Sequence, residues 1–145
     1  MSRRRPVEGE YKLLGPDDTR VLGQSFSAVL KCPEVVYLEG DLGAGKTTLV
    51  QGIVSGLGSD AAVVSPTYTL VEEYLTAAGV VHHLDLYRIQ SPDEVESLAL
   101  RDRCDNESIL LIEWPERGAG GLPIPSWKIS MRYGDQGRTV CITRP

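Results

Sequence analysis

The segment Gly40-Asp41-Leu42-Gly43-Ala44-Gly45-Lys46-Thr47-Thr48 constrains the fold more than any other part of this chain. It satisfies G-x-x-x-x-G-K-[ST], the phosphate-binding loop that follows a strand and opens a helix. Its surroundings supply both. Val35-Val36-Tyr37-Leu38-Glu39 reads as a short buried strand, and Thr47 to Leu57 reads as a helix. Gly40, Gly43 and Gly45 let the backbone curl around an anion and turn its N–H groups inward. With Ala44, these positions form the cradle. The following helix adds partial positive charge at its start. Lys46 contributes a full charge that can reach the β- and γ-phosphates. The Thr47 hydroxyl is the expected Mg²⁺ ligand, and Thr48 can donate to the α-phosphate.

At 145 residues the chain reads as a single domain, with residues 1–7 as a flexible basic tail. That start has no apolar stretch behind it, so it does not read as a secretory signal. No apolar run approaches the roughly 20 residues of a membrane span. Cys32, Cys104 and Cys141 are scattered without C-x-x-C spacing, which argues against a zinc site or a disulfide framework. A cytosolic protein is expected. The net charge of −5 argues against a broad surface for a nucleic-acid backbone.

Strand and helix patterns alternate along the chain. Glu8 to Leu14 is a candidate edge strand. Pro16-Asp17-Asp18-Thr19 has the acidic residues of a helix start, and Val21, Leu22, Ser25, Phe26, Val29 and Leu30 recur at helical spacing as far as Cys32-Pro33. Gly58 is placed to close the helix after the loop. Val63-Val64, Leu70 to Tyr74 and Val80 to Leu86 read as extended. Ser91-Pro92-Asp93-Glu94 combines a capping Ser, Pro at the first helical position and Glu three after the cap. Ile109-Leu110-Leu111-Ile112 is the most continuously apolar strand. Gly118 to Pro125 is a loop, and Trp127 to Tyr133 with Arg138 to Thr143 form a hairpin around Gly134-Asp135-Gln136-Gly137. The pattern predicts an α/β, P-loop NTPase-like fold: a largely parallel central sheet flanked by helices, with a C-terminal hairpin. Ligands in such sheets sit beyond the strand C-termini, which brings Gly40 onward, Asp85 and Glu113 together.

A triphosphatase needs a carboxylate near Mg²⁺, commonly at the end of an apolar strand. Glu113 fits that template, and Asp85 ends a second strand as rival or co-ligand. One can serve the metal while the other orients water. Ser65-Pro66-Thr67 lies where a switch loop would sense the γ-phosphate, with Thr67 as the sensing residue. Trp114 is either a filler at the core edge or a wall of the nucleotide pocket. His82 and His83 share one strand, so one is expected to face in and one out, without a metal role. Arg88 can serve phosphate, a partner or a surface ion pair. No N-K-x-D segment and no D-x-x-G switch follows the loop, so ATP rather than GTP is the expected nucleotide.

Four motifs occur in order: the loop from Gly40 to Thr47; Ser65-Pro66-Thr67-Tyr68-Thr69-Leu70-Val71; His83-Leu84-Asp85-Leu86-Tyr87-Arg88; and Glu113-Trp114-Pro115-Glu116. Together they resemble the bacterial TsaE family, the small ATPases of tRNA threonylcarbamoyladenosine biosynthesis, from about Pro16 to Val140. The resemblance implies ATP and Mg²⁺ as cofactors and the TsaD–TsaB complex as partner. That complex transfers a threonylcarbamoyl group to the adenosine beside certain anticodons. The TsaE-like subunit is implied to reset it by hydrolysis, meeting tRNA only indirectly. By the same resemblance Lys46 holds phosphates, Thr47 and Glu113 hold Mg²⁺, and Asp85 serves metal or water. Residues 65–67 form the switch and Trp114 lies near the nucleotide. Asp18 and Thr19 lie against the base, and Arg138 approaches the site. Two departures stand out: Leu84 where an aromatic residue is common, and Leu98-Ala99-Leu100 where a glycine is usual.

The leading expectation is therefore a partner-dependent ATPase, monomeric and slow when isolated, because no residue in cis reads as an arginine finger. A small-molecule kinase of the same loop class is one alternative. It would carry an arginine-rich lid, and Arg101-Asp102-Arg103 is short and acid-flanked. A non-catalytic nucleotide sensor is the other.

Overall fold

The apolar run ahead of the glycine turn becomes β2 (Glu34–Gly40), the middle strand of a sheet ordered β1-β7-β6-β2-β5-β4-β3. The computed structural model describes residues 8–41, 45–60, 62–63, 71–91, 93–95, 100–134 and 137–145. Among these residues the other strands are β1 (Gly9–Leu13), β3 (Val71–Thr76), β4 (Gly79–Asp85), β5 (Ser108–Glu113), β6 (Trp127–Gly134) and β7 (Gly137–Thr143). The predicted sheet is parallel at its centre, where β6, β2, β5 and β4 run together. It is antiparallel at both flanks, through β3 on one side and the β6–β7–β1 ribbon on the other. β1 is an edge strand as expected. Short connections account for the flanks: two residues join β3 to β4, which only an antiparallel pair permits.

Every residue of β5 is buried, the signature of a strand covered on both faces. On one face Val36 and Leu38 of β2, Ile109 and Leu111 of β5, and Ile129 and Met131 of β6 pack beneath two helices, α1 (Pro16–Ser27) and α2 (Lys46–Gly56). On the other face Leu84, Leu110 and Ile112 pack with Leu86, Ile89, Val95 and Leu100. That side is roofed by irregular chain, a short helix α3 (Leu100–Arg103) and a 3₁₀ helix over Pro115–Gly118. The 3₁₀ helix takes in Gly118, the first residue of the expected loop.

Two helix expectations change. α1 stops at Ser27, short of Cys32, and Val21 and Ser25 face solvent. Gly23 and Ser27 are buried in their place, because α1 and α2 meet there at backbone distance. A Cβ on Gly23 would lie 2.5 Å from the Leu49 carbonyl oxygen, and one on Gly52 would lie 2.2 Å from that of Arg20. The strong start signal at Ser91 does act as a cap. The Asp93 N–H donates to Ser91 Oγ at 3.1 Å and the Gln90 N–H to Glu94 Oε2 at 2.9 Å. The described turn that follows is only a 3₁₀ helix over 93–95. α2 ends as predicted. Gly58 is left-handed (φ 93°), and the Ser59 and Gly58 N–H groups donate to the Val54 and Ser55 carbonyls.

Among the described residues no helix is long and apolar enough to cross a membrane. Tail residues 1–7, Gly43 and Ala44 of the loop, the Ser65–Thr67 switch segment and Leu98-Ala99 lie outside the described residues.

Candidate functional site

Gly40 leaves β2 with φ 141°, where a Cβ would meet the Met131 carbonyl oxygen at 2.1 Å. Only glycine fits between the neighbouring strand and the turn. Gly45 then caps α2 in the left-handed region, at φ 101° and ψ 20°. Its carbonyl accepts from the Leu49 N–H at 3.0 Å, so helix geometry is established as Lys46 begins. Thr47 and Thr48, both half-buried, follow in the first turn.

Lys46 is 5% exposed. Its ammonium donates to the Gly40 carbonyl at 2.9 Å and sits 3.9 Å from the centroid of the Trp114 ring. Burial pulls its pKa below the ordinary 10.5. Glu113 opposes that most strongly, followed by Asp85, Glu116 and Asp41. Among the described residues its partners are one carbonyl and an aromatic face, which leaves donor capacity for an anion.

Asp85 and Glu113 end adjacent parallel strands and are paired in register, so both project toward the helix-covered face. Asp85 is half-buried and its Oδ1 accepts from the Tyr87 N–H at 3.0 Å, which turns the chain away from the strand. Glu113 is 3% exposed. Its Oε2 lies 2.5 Å from Nε2 of His83, two residues before Asp85 on the same face. The expectation that one histidine faces out is corrected here. His82 and His83 point to opposite faces, and both are buried because both faces are covered. The signal for His83 was available in the sequence. Once Asp85 and Glu113 are assigned to one site, strand alternation puts His83 beside them.

Trp114 has φ 56°, the left-handed region that a bulky residue rarely occupies. Its N–H donates to the Leu38 carbonyl at 3.3 Å, and its ring stacks at 4.9 Å and 53° on Tyr87. The turn thereby lays the indole beside Lys46, while the same side chain packs at the edge of the second core. An open cleft of about 690 Å³ adjoins it, lined by Glu39, Gly40, Asp41, Trp114, Glu116, Ser130 and Arg132.

The weaker candidates lie at the same end of the sheet. β1 finishes at Leu13, paired with Arg138, and the start of α1 follows directly. Asp18 Oδ2 accepts from the Leu14 N–H at 3.0 Å, and Thr19 is buried with its hydroxyl donating to the Gly15 carbonyl at 3.3 Å. Both side chains shape the turn between β1 and α1. The Arg138 guanidinium stacks 4.3 Å from the Tyr133 ring centroid. Arg88 is exposed.

These residues fit a magnesium-bound nucleotide. The turn has no room for a side chain at Gly40, the Lys46 ammonium is buried with donors to spare among the described residues, and two carboxylates face the same side. Among the described residues no three His, Cys, Asp or Glu side chains form a metal cage of their own. Mg²⁺ on a nucleotide needs none, since one or two protein oxygens complete a shell made mostly of phosphate and water.

Comparison with known proteins gives the family and the fold. The family profile described as "Threonylcarbamoyl adenosine biosynthesis protein TsaE" matches residues 14–140. The tRNA threonylcarbamoyladenosine biosynthesis protein TsaE of Haemophilus influenzae is 44% identical over 132 residues, covering 86% of this chain and 84% of the relative. The protein of the same name from Bacillus subtilis is 35% identical over 135 residues, covering 92% and 84%. The crystal structure of Bacillus subtilis YdiB superposes with a TM-score of 0.73 at 28% identity, over 94% of this chain and 85% of that one. With Gly40 and Gly45 flanking the loop, and the buried Lys46 and the paired Asp85 and Glu113 set on a P-loop NTPase-like sheet, the chain belongs to the TsaE family.

Proposed function

We propose that this chain binds ATP with Mg²⁺ and hydrolyses it in concert with a TsaD–TsaB complex, supporting threonylcarbamoylation of tRNA adenosine beside the anticodon. The observation that carries the reading is Lys46, a buried ammonium at the mouth of a glycine turn, facing two carboxylates. In this reading the backbone of Gly43, Ala44 and Gly45 and the Lys46 ammonium bind the polyphosphate. Thr48 reaches the α-phosphate. Thr47 and Glu113 hold Mg²⁺, with Asp85 as co-ligand or as the group that orients the attacking water. The metal supplies charge neutralisation for phosphoryl transfer. Trp114 walls the site, while Asp18, Thr19 and Arg138 flank the nucleoside. Thr67 senses the γ-phosphate. The acidic chain meets a protein partner rather than tRNA directly, acts in the cytosol and is monomeric when isolated.

The test is steady-state ATP turnover of the purified chain, titrated with TsaD–TsaB. Turnover is expected to be low alone and to rise at least tenfold on complex formation. Unchanged turnover across a titration that shows binding would overturn the reading. Asp85→Ala and Glu113→Ala should each abolish stimulated hydrolysis and threonylcarbamoylation together. If hydrolysis is lost while modification persists, the chain is a nucleotide sensor. ATP consumption stimulated by a small metabolite, with no protein added, would mark a kinase.

A further inference from the structure

The buried pair His83–Glu113 has a role that the loop chemistry leaves unassigned. β4 and β5 place His83 opposite Leu111 and Asp85 opposite Glu113. His83 and Glu113 are therefore diagonal neighbours on the helix-covered face, within reach of long side chains. Nε2 and Oε2 are 2.5 Å apart, with the histidine side chain fully buried and the glutamate side chain 4% exposed. The other ring nitrogen, Nδ1, is buried and has no hydrogen-bond partner among the described residues. Among the described residues the ring thus has a single polar attachment, and it is Glu113. A carboxylate only accepts, so Nε2 carries the hydrogen and donates it. The contact commits Oε2, stops rotation of the carboxyl group and leaves Oε1 as the oxygen that can turn to a bound ion.

We propose that His83 is a positioning residue that fixes which oxygen of Glu113 is presented to the metal–nucleotide. The inference rests on the reading of Glu113 as a Mg²⁺ ligand. Groups that orient a metal-ligating carboxylate commonly matter about 10- to 100-fold in metal affinity. A residue serving only to fill the core would be indifferent to where its donor lies.

The experiment exploits reach. In His83→Gln the amide nitrogen falls near the place of Nε2, whereas in His83→Asn it falls near Nδ1 and cannot reach Glu113. Mn²⁺ is the probe, with its free concentration read by electron paramagnetic resonance in the presence of ADP. His83→Gln should bind Mn²⁺–ADP within threefold of the parent chain, and His83→Asn about 10- to 100-fold more weakly. ADP affinity in EDTA should agree within twofold for all three. Equal shifts in both variants, or none in either, would overturn the proposal. A second measurement needs no variant of His83. Nitrogen-15 histidine spectra of the unsubstituted chain should show Nε2 protonated and Nδ1 bare, with the Nε2 signal displaced in Glu113→Ala. A ring protonated at Nδ1 alone would equally overturn the proposal. If the Gln–Asn difference appears and partner-stimulated hydrolysis does not, the ATPase reading fails and this inference stands. If hydrolysis appears without the difference, the reverse holds.

Discussion

Trp114 carries an unusual load for a single residue. Its left-handed backbone costs on the order of 1 kcal/mol, and the surrounding contacts offset that cost. The indole ring gains a tilted contact with the Tyr87 ring and holds the Lys46 ammonium over its face. A polyphosphate competes with that ring face for the same ammonium. Nucleotide binding is therefore expected to change the indole's fluorescence. The chain has one other tryptophan, Trp127, which is 3% exposed and meets Phe26 edge-on at 5.2 Å within the core. Emission in Trp127→Phe should respond to Mg²⁺–ADP by a tenth or more of its intensity, and in Trp114→Phe it should not. A response that follows Trp127 would mean the Lys46–Trp114 contact survives binding.

Two element-level seams differ in kind. The first joins α1 to α2 through glycines. Alanine at position 52 would gain about 1 kcal/mol of helix propensity. Its Cβ would also lie 2.2 Å from the Arg20 carbonyl oxygen and 2.9 Å from the carbonyl carbon, so the helices must separate. Overpacking costs about 1–3 kcal/mol and wins when the obstacle is backbone. Gly52→Ala should lower the melting temperature by roughly 3–6 °C in calorimetry. The second seam pins α3 to the β3–β4 edge through His82. Its Nε2 lies 3.3 Å from Ser108 Oγ, and its Nδ1 lies 3.1 Å from Arg103 Nη1 and 3.5 Å from Glu73 Oε2. Burial is the largest cause holding its pKa below 6.5. Glu73 and then Asp105 pull upward, and Arg103 pushes further down. A histidine depressed in the folded state binds fewer protons there than in the unfolded chain. Stability attributable to it is intact above pH 6.5 and declines as pH falls from 6.5 toward its lowered value. Urea unfolding between pH 7 and 5 should show that decline, and His82→Gln should flatten it.

Ligand linkage belongs to the whole molecule. Mg²⁺–nucleotide at 100 times its Kd should add about 2.7 kcal/mol, or roughly 5–10 °C in melting temperature. Lys46→Ala should cut the shift to less than half, because a charged hydrogen bond contributes about 1.5–3 kcal/mol. An undiminished shift in that variant would place binding elsewhere. Much of this architecture was legible in the sequence, and the reason is locality. The glycine spacing of 40–45, the apolar run 109–112 and the turn after Tyr133 each declare themselves within a few residues. What escaped depends on pairing between distant segments. The buried face of α1 was set by its glycine contact with α2, which puts Gly23 and Ser27 inside and leaves Val21 and Ser25 in solvent. The burial of both His82 and His83 followed from a second covered face, and the His83–Glu113 contact followed from the register of β4 on β5. The glycine seam also has a mechanical corollary. It welds the helix that begins at Lys46 to the helix that begins at Pro16, so that under the proposed function both grips on a nucleotide would move as one body. Asp85 and Glu113 are fixed on the sheet beneath that body, paired in register on adjacent strands. A substitution that pried the two helices apart would therefore disturb the Lys46 end and the Thr19 end together.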